Sequence, residues 1–244
     1  MQAIDRTLRR QPDAPADTPG RPPGRKPPRI SPRIPTRSEL AADATVHVLG
    51  ILSGLAGGVT LVSLIAGHGS ALELAAILIY VAGLVAMLVC SAAYHLAQNF
   101  PRAHPRRDLL QRFDHAAIFA MIAGSYTPFT VLALEGGWSV VLTTLIWSLA
   151  VAGIVLKLWQ PRRLGALSVL PYLLLGWVGI SAFYPLFVAL GPTTFALIAI
   201  GGALYTIGVL FHVWERLPFQ NAIWHGFVLA AAAVHYAAVV LAVV

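Results

Sequence analysis

The amino-acid sequence predicts an all-α membrane protein, a bundle of seven membrane-spanning helices with a cytoplasmic N-terminus and a C-terminus outside. Composition is the first reason: 57% of the 244 residues are hydrophobic and 11% are charged, whereas soluble domains carry about 25% charged residues. The second reason is a series of seven apolar runs, and the third is the placement of the basic residues. One cysteine, Cys90, excludes a disulfide framework.

Residues 1–38 form an N-terminal segment that precedes the apolar body at 39–244. This segment contains nine of the 17 Lys and Arg residues and nine of the 17 prolines, a composition that predicts a disordered tail. Because it lacks an apolar run, we expect no cleavable signal peptide. Its basic residues favour contact with anionic lipid headgroups. Nucleic acid is not an expected partner, because the basic residues are not interleaved with aromatic ones on a folded face.

The body contains seven apolar runs of about 20 residues or more, and each is long enough to cross a hydrocarbon core of about 30 Å. Short connections with turn residues, such as Gly191-Pro192, separate them. The runs cover residues 41–66, 73–97, 111–133, 138–158, 165–188, 192–212 and 221–244. They leave no room for a soluble domain within the body.

The basic residues determine the predicted orientation. When the connections are assigned alternately to the two sides, one side receives the tail and the segments 102–112, 157–163 and 216, which together hold all 17 Lys and Arg residues. The other side receives none. Since basic loops remain in the cytoplasm, the tail is predicted inside and Val244 outside.

Polar residues within the runs lie at one common depth, near the cytoplasmic side. Three pairs are spaced four residues apart, so each pair occupies one helix face, and the third run begins with Asp114. The pairs are Asp43 and His47, Ser91 and His95, and Asn221 and His225. Ionisable groups inside membrane spans are costly and usually functional. Imidazoles with a carboxylate suit zinc, but the same groups can hydrogen-bond helices together, and the spacing alone leaves both interpretations open.

Other seven-helix functions are disfavoured. A retinal protein needs a lysine in its last helix, and the two lysines here are Lys26 and Lys157. A G-protein-coupled receptor usually has its N-terminus outside. His235 lies ten residues beyond His225, about 15 Å along a helix, which is too far to share one metal ion. We therefore expect His235 to be a buried, hydrogen-bonded residue.

Four motifs in order resemble the hemolysin III family, the bacterial branch of the progestin and adipoQ receptor group that includes the adiponectin receptors. The third run carries the string Phe113-Asp114-His115-Ala116-Ala117-Ile118, and the second carries Ser91-x-x-x-His95. The first run has Glu39, Asp43 and His47, with Asp43 where asparagine is usual, and the last run has Trp224-His225-Gly226-Phe227. The resemblance covers residues 39–244 and leaves the tail without a counterpart.

The resemblance implies a zinc ion near the cytoplasmic face, with His95 and His225 as ligands. It also implies that Asp114 contacts the water on that ion and that Ser91 lies nearby. The family's first histidine in the last helix falls on Asn221, a weaker ligand than imidazole. Three alternatives follow: Asp114 or a water completes the zinc site, zinc binds much more weakly, or the site is now a hydrogen-bond network.

Two functions are consistent with these residues. The first is a zinc-dependent hydrolase that cleaves an amide bond in a membrane lipid, as in the ceramidases to which the wider superfamily is linked. Asp114 would be its general base and Ser91 would stabilise the oxyanion or position the water. The second is a non-catalytic sensor or regulator of the membrane with a structural metal. A pore-forming cytolysin, which the family name suggests, is less favoured because the sequence indicates no soluble secreted state.

Overall fold

The computed structural model describes residues 34–97, 105–160 and 169–243, and these residues are almost entirely helical. Residues 1–33, which make up most of the predicted tail, lie outside the described residues. The helices are α1 (Arg37–Ala66), α2 (Ala71–Leu96), α3 (Pro105–Pro128) continued by a π-helix (Phe129–Ala133), α4 (Gly136–Trp159), α5 (Leu170–Gly176), a 3-10 helix (Val178–Ala182), α6 (Phe183–Val213) and α7 (Gln220–Val243). Residues 37 and 38, assigned to the tail from the sequence, are the first turn of α1.

Capping boxes determine where α1 and α2 begin. Thr36 Oγ1 accepts a hydrogen bond from the backbone N–H of Glu39 at 3.3 Å, and Glu39 accepts one from the N–H of Thr36 at 2.7 Å. Ser70 and Glu73 make the same reciprocal pair before α2. Each box satisfies donors that the first helical turn leaves unpaired. Both α1 and α2 therefore begin with a polar first turn that precedes the apolar run.

The helices carry the exposed apolar surface of a multi-pass membrane protein. Six helical stretches in the described residues are long and apolar enough to cross a bilayer, and one of them, Leu170–Val213, is 44 residues long. Many large aliphatic side chains on these helices are exposed; among them are Val59, Val140, Leu174 and Leu210. A water-soluble protein rarely exposes so much continuous apolar surface. Lipid tails are the medium that matches it.

The 44-residue stretch does not run straight but turns back at Gly191. The backbone of Gly191 has φ 72° and ψ 169°, a conformation that is essentially restricted to glycine. The rings of Phe183 and Phe195 lie 5.0 Å apart, although twelve residues of straight helix would separate them by about 18 Å. Trp177 Nε1 also donates to Thr206 Oγ1 at 3.1 Å. The stretch therefore consists of two antiparallel segments, which we call the first leg (residues 170–190) and the second leg (residues 192–213). They meet at the Gly191-Pro192 step, where the sequence predicts the boundary between two runs.

A tyrosine satisfies the backbone where the first leg is irregular. The change from α5 to the 3-10 helix leaves polar groups without helical partners. Tyr126 of α3 donates its hydroxyl hydrogen to the carbonyl of Gly176 at 2.5 Å and accepts from the N–H of Gly179 at 3.0 Å. Such internal satisfaction is what lipid requires of non-helical backbone.

Close helix packing brings the polar ends of four helices together. α1 contacts both α2 and α7, and α2 contacts α3. A Cβ atom added at Gly54 would lie 2.5 Å from the side chain of Leu88, and one at Gly83 would lie 3.1 Å from the carbonyl oxygen of Ala120. These glycines let the helices approach closely, as small residues do in membrane bundles. The starts of α1, α3 and α7 and the end of α2 consequently lie at one end of the bundle.

Candidate metal centre

Four side chains from three helices converge at this end of the bundle. Asp43 and His47 lie one turn apart on α1, His95 lies in the last turn of α2, and His225 lies near the start of α7. One nitrogen or oxygen donor atom from each residue lies within 4.8 Å of the others. Asp43, His47 and His225 are buried and His95 is nearly so. We call these four residues the Asp43 cluster.

The Asp43 carboxylate contacts each of the three imidazoles. Its Oδ1 lies 2.6 Å from Nδ1 of His225 and its Oδ2 lies 3.0 Å from Nδ1 of His95. Both distances are within hydrogen-bonding range. The same Oδ2 lies 3.8 Å from Nε2 of His47. The Asp43 side chain of α1 therefore links its own helix to α2 through His95 and to α7 through His225.

His47 carries a buried nitrogen that lacks a hydrogen-bond partner among the described residues. Its Nε2 atom is inaccessible to solvent and makes no hydrogen bond, although its ring centroid lies 4.4 Å from that of His225 and 5.2 Å from that of His95. An unsatisfied buried polar group costs about 1–3 kcal/mol. A cation bound among the rings would satisfy it.

The donor set fits zinc. Tetrahedral zinc binds nitrogen and oxygen at about 2.0–2.1 Å, which places its ligands roughly 3.3 Å apart. The separations from the Asp43 oxygens, 2.6, 3.0 and 3.8 Å, lie on both sides of that value. Imidazole and carboxylate are also ligands that zinc accepts. The residues present can therefore hold a zinc ion after small side-chain adjustments.

The predicted ligands His95 and His225 are both in the Asp43 cluster, whereas the predicted residue Asp114 is not. Asp114 is buried near the start of α3, where its carboxylate accepts a hydrogen bond from Ser91 and interacts electrostatically with His95. Ser91 lies one turn before His95 on α2. Asp114 and Ser91 thus form a pair beside the Asp43 cluster. Their predicted roles in metal binding and catalysis stay predictions.

Asn221 lies in the first turn of α7, four residues before His225. It lines a cavity of about 100 Å³ at the ends of α1 and α7. Asp43 lines the same cavity, so the opening reaches one member of the Asp43 cluster. The remaining lining residues are Pro35, Glu39, Leu40, Glu215, Leu217, Phe219, Gln220 and Ala222.

Glu39 ties the start of α1 to the start of α7. Besides its role in the capping box, it accepts a hydrogen bond from the backbone N–H of Phe219 at 2.8 Å. Phe219 has a φ of 58°, which is uncommon for a residue with a side chain. The contact fixes the direction in which α7 begins, six residues before His225.

The sequence carries a signal for a metal-binding role of Asp43 and His47, although the family resemblance assigns them no such role. Their four-residue spacing places them on one helix face at the depth of His95 and His225. The zinc ligands implied by the resemblance come from α2 and α7, so α1 receives no ligand role. Only the packed helices reveal that the α1 carboxylate lies between the other two imidazoles.

His235 has the hydrogen-bonded role expected from its position. Its Nε2 lies 3.1 Å from the carbonyl oxygen of Ile198, and its ring packs beside Tyr205. Both contacts are with α6. His235 therefore joins α6 to α7 away from the Asp43 cluster; its predicted hydrogen bond is confirmed, and its side chain is half-buried rather than buried.

Comparisons with known proteins identify relatives along most of the chain. Residues 40–236 match the family described as haemolysin-III related. The chain is 36% identical over 198 residues to the Hemolysin-3 homolog of Bacillus subtilis (strain 168), covering 81% of this chain and 91% of that protein. Hemolysin-3 of Bacillus cereus is 36% identical over 201 residues, 81% and 89% of the two chains. The human Monocyte to macrophage differentiation factor is 30% identical over 167 residues, which cover 66% of this chain and 67% of that protein.

Proposed function

The chain belongs to the haemolysin-III related family, and from this premise we propose that it is a resident membrane protein that hydrolyses an amide bond in a membrane lipid with the help of zinc. The Asp43 cluster is the observation that carries the proposal. Three imidazoles and a carboxylate buried within 4.8 Å of one another are a metal-ligand set. His95 and His225 would hold the ion, together with donors from α1.

The chain's own residues supply the other requirements of amide hydrolysis. When bound, zinc acts as a Lewis acid toward the substrate carbonyl and activates water. Asp114 would accept a proton from the attacking water and then deliver it to the leaving amine. Its hydrogen bond from Ser91 orients the carboxylate beside His95. The apolar surroundings exclude bulk water and strengthen these interactions.

The depth of the cluster suits a lipid substrate. α1 has 30 residues, so it is about 45 Å long and exceeds a hydrocarbon core by about 15 Å. Asp43 lies six residues from its start, about 9 Å along the axis. This depth is close to the boundary where acyl chains join their headgroups. An N-acylated lipid carries its amide bond at that boundary.

The direct test is release of fatty acid from an N-acylated lipid in mixed micelles. We expect the purified, zinc-loaded full chain to release fatty acid from a ceramide. A chelator should abolish the release and added zinc should restore it. An ester lipid with matched acyl chains measures whether the amide is required. Absence of chelator-sensitive release from any amide lipid tested would contradict the hydrolase function.

We propose further that the chain crosses the membrane seven times, with the basic tail inside. The two legs that meet at Gly191 account for two of the crossings, which raises the six long helical stretches to seven. The segregation of basic residues supports an N-terminus in the cytoplasm. In this orientation the Asp43 cluster lies on the cytoplasmic side and the tail lies beside anionic lipid headgroups.

Reporter fusions test the crossings and the orientation together. A reporter active only outside the cytoplasm should be active when fused after Glu135 or Val244 and silent after Arg107. A single crossing by Leu170–Val213 would reverse the result at Val244 alone. Equal expression of the three fusions, measured by immunoblot, is the control. Activity after Arg107 would overturn the charge-based orientation.

A non-catalytic sensor or regulator is the second candidate function, and one observation favours it. Asp43 already contacts two imidazoles at 2.6 and 3.0 Å, so the cluster can join α1, α2 and α7 without supporting a reaction. A metal there would be structural. In that case zinc should raise the melting temperature of the protein without any lipid being cleaved.

A further inference from the structure

We infer that Asp43 is a direct metal ligand and occupies the coordination position that Asn221 leaves without a strong donor. The inference rests on metal binding in the proposed function but not on hydrolysis. Two histidines, His95 and His225, are too few to hold zinc tightly inside a protein, because structural and catalytic sites use at least three protein ligands. At least one further ligand is needed, and the candidates are Asp43 and His47 of α1, Asn221 of α7 and Asp114 of α3.

Asp43 lies close enough to both histidines to serve as the third ligand. Its two oxygens lie 2.6 Å from His225 and 3.0 Å from His95, so it adjoins both histidines at once. Its side chain is 6% exposed. A carboxylate oxygen is an established zinc ligand at about 2.0–2.2 Å. Small adjustments of the three side chains would place all three donors around one ion.

Asn221 and Asp114 fit less well than Asp43. Asn221 offers only a neutral amide oxygen, a weaker zinc ligand than imidazole or carboxylate, and it lines the cavity next to Asp43. Asp114 is not among the donors that lie within 4.8 Å of one another, and its carboxylate accepts a hydrogen bond from Ser91. The side chains at positions 221 and 43 therefore line the same cavity, one with a neutral amide and the other with a carboxylate.

The unpartnered nitrogen of His47 independently points to an ion at the same place. Its Nε2 is buried without a hydrogen bond among the described residues and lies 3.8 Å from Oδ2 of Asp43. The side chain of His47 is 8% exposed. The Asp43 carboxylate already contacts His95 and His225, so the buried Nε2 of His47 is left without a hydrogen bond. A cation beside Asp43 removes that cost.

A carboxylate ligand also changes the charge of the centre. Zinc with three neutral imidazoles carries a charge of +2, whereas zinc with two imidazoles and a carboxylate carries +1. Burial of the smaller charge in an apolar bundle costs less free energy. Asp43 also makes α1 part of the metal centre, so metal binding stabilises the contacts of α1 with both α2 and α7.

A double-mutant cycle at positions 43 and 221 tests the assignment. The zinc dissociation constants of the purified full chain and its variants are measured by competition with a fluorescent chelator. We expect Asp43→Asn to weaken zinc binding by about tenfold or more, in the range seen when the ligand environment is damaged. Asn221→His should strengthen binding by about tenfold in the Asp43→Asn background, yet by less than about threefold alone. This non-additivity is the signature of two donors that share one coordination position.

Two further variants serve as controls. Asn221→Ala should leave zinc affinity unchanged, because Asn221 is not a ligand, and His235→Ala should do the same while it lowers stability. Size-exclusion profiles and helical circular dichroism identify any variant that fails to fold. If Asp43→Asn alone does not fold, the double variant should still bind zinc within about threefold of Asn221→His, because the histidine takes the shared position, and a much larger loss would contradict the assignment.

The outcomes separate this inference from the proposed function. Unchanged affinity in Asp43→Asn, or an equal loss in Asn221→Ala, would overturn the assignment of Asp43. Additive effects in the cycle would overturn it as well. A native chain that binds no zinc would refute the proposed metal centre together with its ligand. Tight zinc binding with the expected cycle but no lipid cleavage would support Asp43 as a ligand and refute only the hydrolase.

Discussion

Replacement of His225 by alanine is expected to abolish zinc binding at micromolar zinc, with a loss of affinity of about 100-fold or more. His225 contacts Asp43 at 2.6 Å and faces the rings of His47 and His95. Its loss therefore removes one strong ligand and leaves the carboxylate less well paired. Because zinc bound only by the folded state stabilises it by about 2.7 kcal/mol at 100 times the dissociation constant, the variant should also lose the zinc-dependent rise in melting temperature.

The matched control is His235→Ala, the same substitution two to three turns further along α7. It breaks a hydrogen bond to Ile198, so the melting temperature should fall with and without zinc while zinc stoichiometry stays at one per chain. Metal analysis of detergent-purified protein and melting curves with and without chelator make both measurements. Stoichiometric zinc in the His225→Ala variant would show that the ion is bound elsewhere.

Asp114→Asn should lower the rate of lipid amide hydrolysis by about 10²–10⁴-fold, the usual contribution of a general acid–base group. Asparagine has nearly the same shape and keeps a hydrogen-bond acceptor for Ser91, but it cannot take up the proton. Zinc stoichiometry should stay unchanged, because Asp114 is not among the four donors of the Asp43 cluster. The readouts are fatty-acid release at saturating lipid and zinc content.

Glu135→Gln provides the control for removing a negative charge, since Glu135 is exposed at the far end of α3 and α4. Its activity should equal that of the native chain. If the Asp114→Asn variant instead loses its zinc, Asp114 is a metal ligand. The assignment of metal binding to the Asp43 cluster and of proton transfer to Asp114 would then be wrong. If the variant keeps both zinc and activity, Asp114 has no part in proton transfer.

The positions of the membrane helices could be predicted from the sequence because hydropathy is a local, additive property. The apolar runs at 41–66, 73–97 and 138–158 correspond to α1, α2 and α4, with boundaries that differ by a few residues. The differences have a physical cause. Hydropathy does not detect the capping boxes at Thr36 and Ser70, which begin α1 and α2 in polar turns. The glycine–proline step at 191 similarly marks where the chain turns back.

The gathering of polar residues at one end of the bundle could also be predicted from the sequence, because orientation and helical spacing place them at one depth. Which of them can share an ion depends on how the helices pack against one another. Metal binding depends on donor separations of a few ångströms between helices, and these depend on close packing at positions such as Gly54 and Gly83. Periodicity along one helix carries no information about those distances. The packed bundle consequently places the Asp43 carboxylate between His95 and His225 and leaves Asn221 in the adjoining cavity.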